Sequence, residues 1–334
     1  MLGILAKLKA KFILLGILLL FTLLGTPWIG ERSIAMNVLS QPFSTDLDAV
    51  IFWQIRVPRT LLAFLAGVGL SLGGVVFQAI FRNSLATPFT LGVAGGASFG
   101  VALWVQLGLS FTLLGIGGVS LAAMCGAIIS MLLLYSLVKV SGRTSPMTML
   151  LGGVAISFFF SSLIMLLQYL MDVGDSFRLI HWLMGDISRA NLDSIFQILP
   201  FVASGALIIM CLRNELNLLS ISDEIAMSRG VNVETVRVVL FFAVSLMVAG
   251  VITVCGPIGF VGIMAPHMCR LIFGANHRTL VPTSLVFGGI FLTCCDTIAR
   301  TVSTTSEIPV GIVTALLGGP FFLWLLFKNE SQDV

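Results

Sequence analysis

The sequence contains few charged residues, and this scarcity decides its class. Charged side chains make up 10% of the 334 residues and hydrophobic ones 57%, with a mean hydropathy of +1.08. A soluble globule of this length needs more polar side chains to cover its surface. We therefore predict an all-α protein that lies in a lipid bilayer.

A nucleotide-binding motif is missing as well. The phosphate-loop pattern G-x-x-x-x-G-K-[ST] does not occur, and neither does the dipeptide Gly-Lys. The longest polar connections, at 31–59, 172–193 and 213–237, are too short for a soluble catalytic domain. We predict one transmembrane domain over residues 1–334 that is not an enzyme, so that any ATP must be hydrolysed by another chain.

Patterns typical of metal or nucleic-acid binding are also absent. The six cysteines lie in or beside apolar runs without the paired spacing of a zinc site or disulfide framework, so we interpret them as buried hydrophobes. The basic residues lie singly, which excludes a nucleic-acid patch. His181 has no second ligand at helical spacing, and we interpret it, with Trp182, as an interfacial anchor. We predict no metal and no cofactor on this chain, and leave open whether His181 or His267 touches a substrate.

Long uncharged runs dominate what is present. The second-longest run contains Gly256 and Pro257, which break a helix, so it predicts two spans, and the 56-residue run 83–138 predicts two spans that turn near 108–110. The total is about ten transmembrane helices. The runs are 12–30, 60–81, 83–138, 144–171, 194–212, 238–269, 279–295 and 308–327.

The basic residues predict the orientation. With ten spans both termini lie on one side, and that side holds twelve of the 18 lysines and arginines, including every lysine. The positive-inside rule then makes both termini cytoplasmic. On the outer side, segment 171–188 predicts a short helix on the membrane surface.

The cytoplasmic segment 213–237 predicts a short capped helix. Ser220 is placed as its N-cap, Asp223 and Glu224 add favourable charge at its N-terminal end, and Gly230 supplies a left-handed stop. An ordinary interfacial helix lying on lipid headgroups would give the same pattern.

Seven ordered motifs resemble the FecCD/BtuC-type family of ABC importer permeases over nearly the whole chain. The motifs are WQIRVPRTLLAFLAG (53–67), FRNSLATPFTLGVAGG (81–96), TSPMTMLLGGVAIS (144–157), HWLMGDIS (181–188), the segment 216–237, GPIGFVGIMAPHMCRL (256–271) and SEIPVGIVTALLGGPFFLWLL (306–326). The resemblance implies a ten-helix, type II importer permease. It implies as partners a second copy or a related permease, two ATPase subunits that hold ATP and Mg²⁺, an external substrate-binding protein that is periplasmic or lipid-anchored, and the surrounding lipid.

The resemblance also implies roles for individual residues. Arg56, Arg59 and Arg300 would dock the binding protein through forked donors, although snorkelling anchors would look the same. Asn83, Leu85, Thr144 and Ser145 match cytoplasmic gate positions, while Ser84 and Thr87 depart from the family pattern. The residues that match the ATPase coupling helix are Ser220, Ser222, Asp223, Glu224, Ala226, Arg229 and Gly230.

Asp296 lies inside the ninth predicted span, where a carboxylate is costly and is expected to be paired or functional. Arg300 follows at i+4, so we predict an intramembrane ion pair between the two in preference to a proton relay.

Two other classes remain as alternatives. A secondary transporter or channel also has many apolar helices with glycine breaks, and an intramembrane enzyme would need a catalytic cluster at membrane depth. For an importer, we expect a ferric siderophore as cargo, then haem, then cobalamin. The pairing of two copies or of two related permeases stays open.

Overall fold

The structure is a computed structural model. It describes residues 2–30, 32–40, 42, 44–113, 116–140, 145–302 and 307–330, with side chains described from 9 to 324. Thr144 lies outside the described residues.

Helices make up most of the described chain. A two-residue antiparallel pair, β1 (Thr112–Leu113) and β2 (Ile116–Gly117), is its only sheet. The α-helices are α1 (Leu2–Gly25), α2 (Leu47–Val50), α3 (Val57–Phe81), α4 (Val93–Gln106), α5 (Gly118–Val140), α6 (Pro146–Leu170), α7 (Val173–Leu183), α8 (Leu192–Cys211), α9 (Arg213–Leu219), α10 (Asp223–Ser228), α11 (Val233–Cys255), α12 (Val261–Phe273), α13 (His277–Ala299) and α14 (Val310–Glu330).

Ten of these helices correspond to the ten predicted spans. Seven helical stretches of the described chain are long and apolar enough to cross a bilayer, namely α1, the stretch that ends in α3, α5, α6, α8, α11 and α13. The remaining three, α4, α12 and the described apolar part of α14, are shorter. The prediction of an all-α membrane protein with about ten spans is confirmed.

Irregular backbone interrupts the two longest apolar runs. The turn predicted near 108–110 lies between the end of α4 at Gln106 and the start of α5 at Gly118, and Gly108 has a φ of +61°. Residues 83–92 form turns before α4 starts, so the first span of that run begins ten residues later than its first uncharged residue. Between α11 and α12 the chain leaves the helix at Gly256, whose φ of +67° suits a residue without a Cβ. Pro257 follows and cannot donate to a continuing helix.

A π-helical turn, Ile51–Arg56, joins α2 to α3 in one continuous stretch over 47–81. It stands directly before Pro58, which lacks an N–H and whose ring crowds the preceding turn. Widening the helix there accommodates the proline without ending the helix.

Helix α3 lies at the centre of the molecule and packs against α8, α11, α12 and α13. The approach to α13 is close because a Cβ at Gly67 would overlap the carbonyl oxygen of Gly288. Small residues at such crossings let helix backbones approach where lipid gives no hydrophobic drive for association. By contrast α1, α6 and α8 expose most of their apolar side chains, as expected of helices that face lipid or another subunit.

Candidate functional site

The segment that follows α8 folds into two short helices, α9 and α10, before α11 begins. Ser222 is the N-cap of α10, and its hydroxyl accepts a hydrogen bond from the Ile225 N–H at 3.1 Å. The prediction that Ser220 caps this helix is wrong, because the Ser220 hydroxyl donates to the Asn217 carbonyl at 2.8 Å and belongs to the end of α9. The helix therefore begins two residues later than its sequence suggests.

The end of α10 forms as predicted. Gly230 has a φ of +80°, and its N–H donates to the Met227 carbonyl at 2.9 Å. The Val231 N–H donates to the Ala226 carbonyl at 3.0 Å. These two hydrogen bonds supply donors to carbonyls that would otherwise have none at the helix end.

The two faces of α10 differ in a way that the sequence did not reveal. Ala226 is fully buried and packs with Leu219 and Val233. Ile225 and Met227 point outward, with 41% and 66% of their surface exposed. The apolar outer face of α10 thus consists of side chains that the motif comparison did not select, while Ala226, which it did select, faces the chain's own interior.

Glu224 and Arg229 are exposed on α10, as a contact surface for another chain requires. The pKa of Glu224 lies below its ordinary value because its carboxylate accepts hydrogen bonds from its own backbone N–H and from the Ser222 hydroxyl. Glu224 is therefore ionised at neutral pH, beside the N-terminal end of the helix.

Asp223 joins α10 to two other helices. The guanidinium of Arg82, at the end of α3, contacts Asp223 Oδ1 and donates through Nε to the Leu219 carbonyl at 3.0 Å. Arg237 Nη2, on α11, lies 2.9 Å from both carboxylate oxygens of Asp223. Arg82 and Asp223, which are 141 positions apart in the chain, thus meet at one junction.

The predicted gate residues that the structure describes lie in a turn and at a helix start. The Asn83 side-chain oxygen accepts from the Leu85 N–H at 2.9 Å, which fixes an Asx turn directly after α3. Leu85 is 46% exposed. Ser145 caps α6 by accepting from the Thr148 N–H at 3.2 Å. Their gating role stays a prediction.

At the opposite end of α3, Asp296 is paired with Arg59 instead of Arg300. Arg59 Nε lies 3.0 Å from both carboxylate oxygens of Asp296, and Nη2 lies 3.0 Å from Oδ1. The third nitrogen, Nη1, contacts Glu307 at 2.7 Å. The predicted i, i+4 ion pair is wrong because a fork from another helix already occupies both oxygens.

Arg300 and Arg56 bind backbone carbonyls. Arg300 Nη2 donates to the Thr26 carbonyl at 2.5 Å, and Arg56 donates to the carbonyls of Pro27, Trp28 and Arg32. These bonds tie the ends of α3 and α13 to the chain that follows α1.

All three predicted docking arginines are consequently buried. Arg56, Arg59 and Arg300 are 7%, 4% and 7% exposed. In this conformation each of the three guanidinium groups is hydrogen-bonded within the chain. A docking role for these residues stays a prediction that requires the cluster to open.

The predicted external helix is α7, which begins after Asp172, whose side chain accepts from the Asp175 N–H at 2.8 Å. His181 and Trp182 on α7 help to line a cavity of about 810 Å³ between α4, α5 and α11. His267 on α12 lies edge-on to Phe321, with ring centroids 5.9 Å apart. Within the described residues, no three His, Cys, Asp or Glu side chains are grouped to hold a metal.

Comparisons with known proteins agree with this architecture. The family model described as the FecCD transport family matches residues 13–328. This chain belongs to the FecCD transport family. It is therefore the membrane-spanning permease subunit of an ABC importer and not itself an enzyme. This assignment excludes the alternatives of a secondary transporter, a channel and an intramembrane enzyme.

Relatives of this FecCD permease differ in their cargo. The cobalamin import permease BtuC of Halobacterium salinarum is 36% identical, with 92% of this chain and 81% of that protein covered. The iron(3+)-hydroxamate import permease FhuG of Bacillus subtilis is 34% identical, with 85% of each chain covered. A solved metal-chelate type ABC transporter in an inward-facing conformation superposes with a TM-score of 0.85 at 31% identity, over 96% of this chain and 99% of the other.

Proposed function

We propose that this permease carries a metal complex, a ferric siderophore first and haem or the cobalt complex cobalamin next, from the outside of a bacterial inner membrane to the cytoplasm. The observation that supports it is a FecCD-family fold with a capped helix, α10, whose apolar and charged side chains project outward from the compact cytoplasmic junction. Such a face suits a socket on an ATPase, because a partner that buries Ile225 and Met227 removes apolar surface from water.

The proposed assembly contains two permease chains, which are two copies or one copy with a related permease. It also contains two ATPase subunits on the cytoplasmic side, which bind ATP and Mg²⁺, and a substrate-binding protein on the outer side. The exposed apolar faces of α1, α6 and α8 are available to lipid and to the second permease. The loop of Asn83 and Leu85, with the start of α6 at Ser145, would close the cytoplasmic end of the path.

Identity alone does not select the cargo, since a cobalamin relative and a hydroxamate relative are almost equally similar to this chain. Recognition of cargo by the external binding protein would account for similar permeases with different cargo. We therefore place the selection in the binding protein.

The function is tested in proteoliposomes that contain the permease, its co-encoded ATPase and its binding protein. Uptake of a radiolabelled ferric hydroxamate is expected to require ATP and to persist after a protonophore collapses the proton gradient. Haemin and cobalamin are measured in parallel, and the binding protein's affinity for each is measured separately. Uptake that needs the gradient but not ATP would refute the importer proposal, and preference for haemin or cobalamin would correct the cargo alone.

A further inference from the structure

Arg82 ends α3 in an unusual backbone conformation. Its φ of 48° and ψ of 37° lie in the left-handed region, which a residue with a long side chain seldom adopts. The backbone N–H groups of Arg82 and Asn83 turn back to the carbonyls of Ala79 and Gln78, and the Arg82 side chain is directed across the junction toward α10. These two backbone bonds end α3 in a left-handed turn, while the side chain of Arg82 makes its contacts outside α3.

Among the described residues, the side chain of Arg82 hydrogen-bonds only to the segment 213–237. Nε binds the Leu219 carbonyl, where α9 ends, and Nη2 binds Asp223, where α10 begins. One rigid guanidinium thus hydrogen-bonds to both sides of the turn between α9 and α10. A planar fork with several fixed donors makes such a double contact, which a single ammonium cannot reproduce in full.

The two arginine partners of Asp223 differ in burial. The side chain of Arg237, on α11, is 5% exposed, whereas the Arg82 side chain is 34% exposed at the proposed cytoplasmic surface. The buried ion pair with Arg237 anchors α10 to the helix bundle. The ion pair with Arg82 is accessible to water, so it is the one that can break and reform as α10 moves.

We propose that Asp223 and Arg82 are positioning residues that transmit displacement of α10 to the cytoplasmic end of α3 and its gate turn. The inference rests on the proposed coupling role of α10. Arg82 is bonded directly to Asn83, and the Asn83 side chain accepts the hydrogen bond from Leu85 that forms the Asx turn. A displacement of the Arg82 guanidinium is therefore transmitted to this turn through one peptide bond. A six-residue helix such as α10 does not hold its own position, and these charge-assisted bonds fix it relative to α3.

The cleanest variant is Arg82→Gln, because Asp223 then keeps its buried partner Arg237. Asp223→Asn is a poorer probe, since it would leave the buried Arg237 guanidinium without its carboxylate and could prevent folding. Arg178→Gln is the matched control, because Arg178 also pairs with an aspartate, Asp175, at 3.1 Å, but on the outer helix α7. Arg229→Glu, on the exposed face of α10, tests the proposed coupling helix itself.

The measurement uses the complete reconstituted importer and radiolabelled ferric hydroxamate, or whichever of haemin and cobalamin its binding protein retains. We expect Arg82→Gln to lower the amount of substrate taken up per ATP hydrolysed by about fivefold, with ATPase binding, thermal stability and basal ATP hydrolysis kept. Arg82→Lys is expected to give an intermediate ratio, because its ammonium keeps the charge but only part of the double contact. The Arg178→Gln importer should keep the ratio of the unmodified one.

Three results would overturn the inference. An unchanged ratio in Arg82→Gln, with a lowered ratio in Arg229→Glu, rejects the positioning role and leaves the coupling helix intact. A loss of uptake that merely follows lost stability or lost ATPase binding shows that Arg82 is structural. Unchanged ratios in both variants reject the coupling role of α10 together with the inference.

Discussion

At the scale of single residues, the buried fork between Arg59 and Asp296 is the main departure from expectation. The two residues are 237 positions apart, and their side chains are 5% and 2% exposed. A charge buried at this depth requires a partner of opposite charge. The arginine fork donates hydrogen bonds to both carboxylate oxygens in a fixed geometry, which a single ammonium does not do. The cluster therefore holds α3 against α13 at the end of α3 opposite the Asp223 junction.

Replacing Asp296 by Asn is expected to destabilise the permease by about 3–5 kcal/mol, because the buried Arg59 guanidinium loses its counter-charge. The measurement is reversible unfolding of purified protein in mixed micelles, compared with the unmodified chain.

Glu307→Gln is the matched control. Glu307 binds the same guanidinium but is 51% exposed, so its loss should cost less than about 1 kcal/mol. Equal stability losses in the two variants would show that burial does not govern this pair.

At the scale of elements, α10 shows how a short helix is held by contacts outside itself. Its caps at Ser222 and Gly230 are local, but its orientation comes from Asp223 and from the packing of Ala226 under the helix. This orientation decides which residues can meet another protein. Ile225 and Met227 are available, and Ala226 is not.

The double variant Ile225→Glu with Met227→Glu is expected to weaken binding of the ATPase at least about tenfold, because two outward apolar contacts are replaced by charge. Thermal stability of the isolated permease should stay the same, since both side chains face solvent. Co-purification and titration with the ATPase measure the first effect, and thermal unfolding measures the second.

Ala226→Leu serves as the opposite case, because added volume under the helix should lower stability by about 1–3 kcal/mol. If the double glutamate variant binds the ATPase normally, the outer face of α10 is not the contact surface.

At the scale of the whole molecule, α3 is the central one of the ten apolar helices, and two clusters of charge lie at its two ends. The arginine cluster with Asp296 marks the end near the α1–α2 connection, and the Asp223 junction marks the other. The lipid-facing helices expose apolar side chains between these ends. The charge of these two clusters thus lies at the ends of α3 and not along its apolar middle.

The orientation predicted from basic residues can be measured by cysteine labelling in spheroplasts, with the exposed cysteines Cys125, Cys211 and Cys294 replaced by serine. A membrane-impermeant maleimide should label Asn37→Cys in intact spheroplasts, and Glu234→Cys only after permeabilisation. Both positions are exposed, so access alone separates them. The reverse labelling pattern would place the coupling segment outside and contradict the proposed topology.

By itself the sequence determined the membrane class, the ten spans, the helix breaks at Gly256 and the stop at Gly230. These features depend on composition, on run length and on backbone preferences that act within a few residues. Ordered motifs added the family, which the match over residues 13–328 confirms.

Only the tertiary structure decided which charges pair. Sequence spacing offered Arg300 as the partner of Asp296, but helix packing brings Arg59 closer, and it likewise turns Ala226 inward and joins Arg82 to Asp223. Pairing of buried charges depends on which helices touch and at what rotation. That information is spread over the whole chain and is absent from any local pattern.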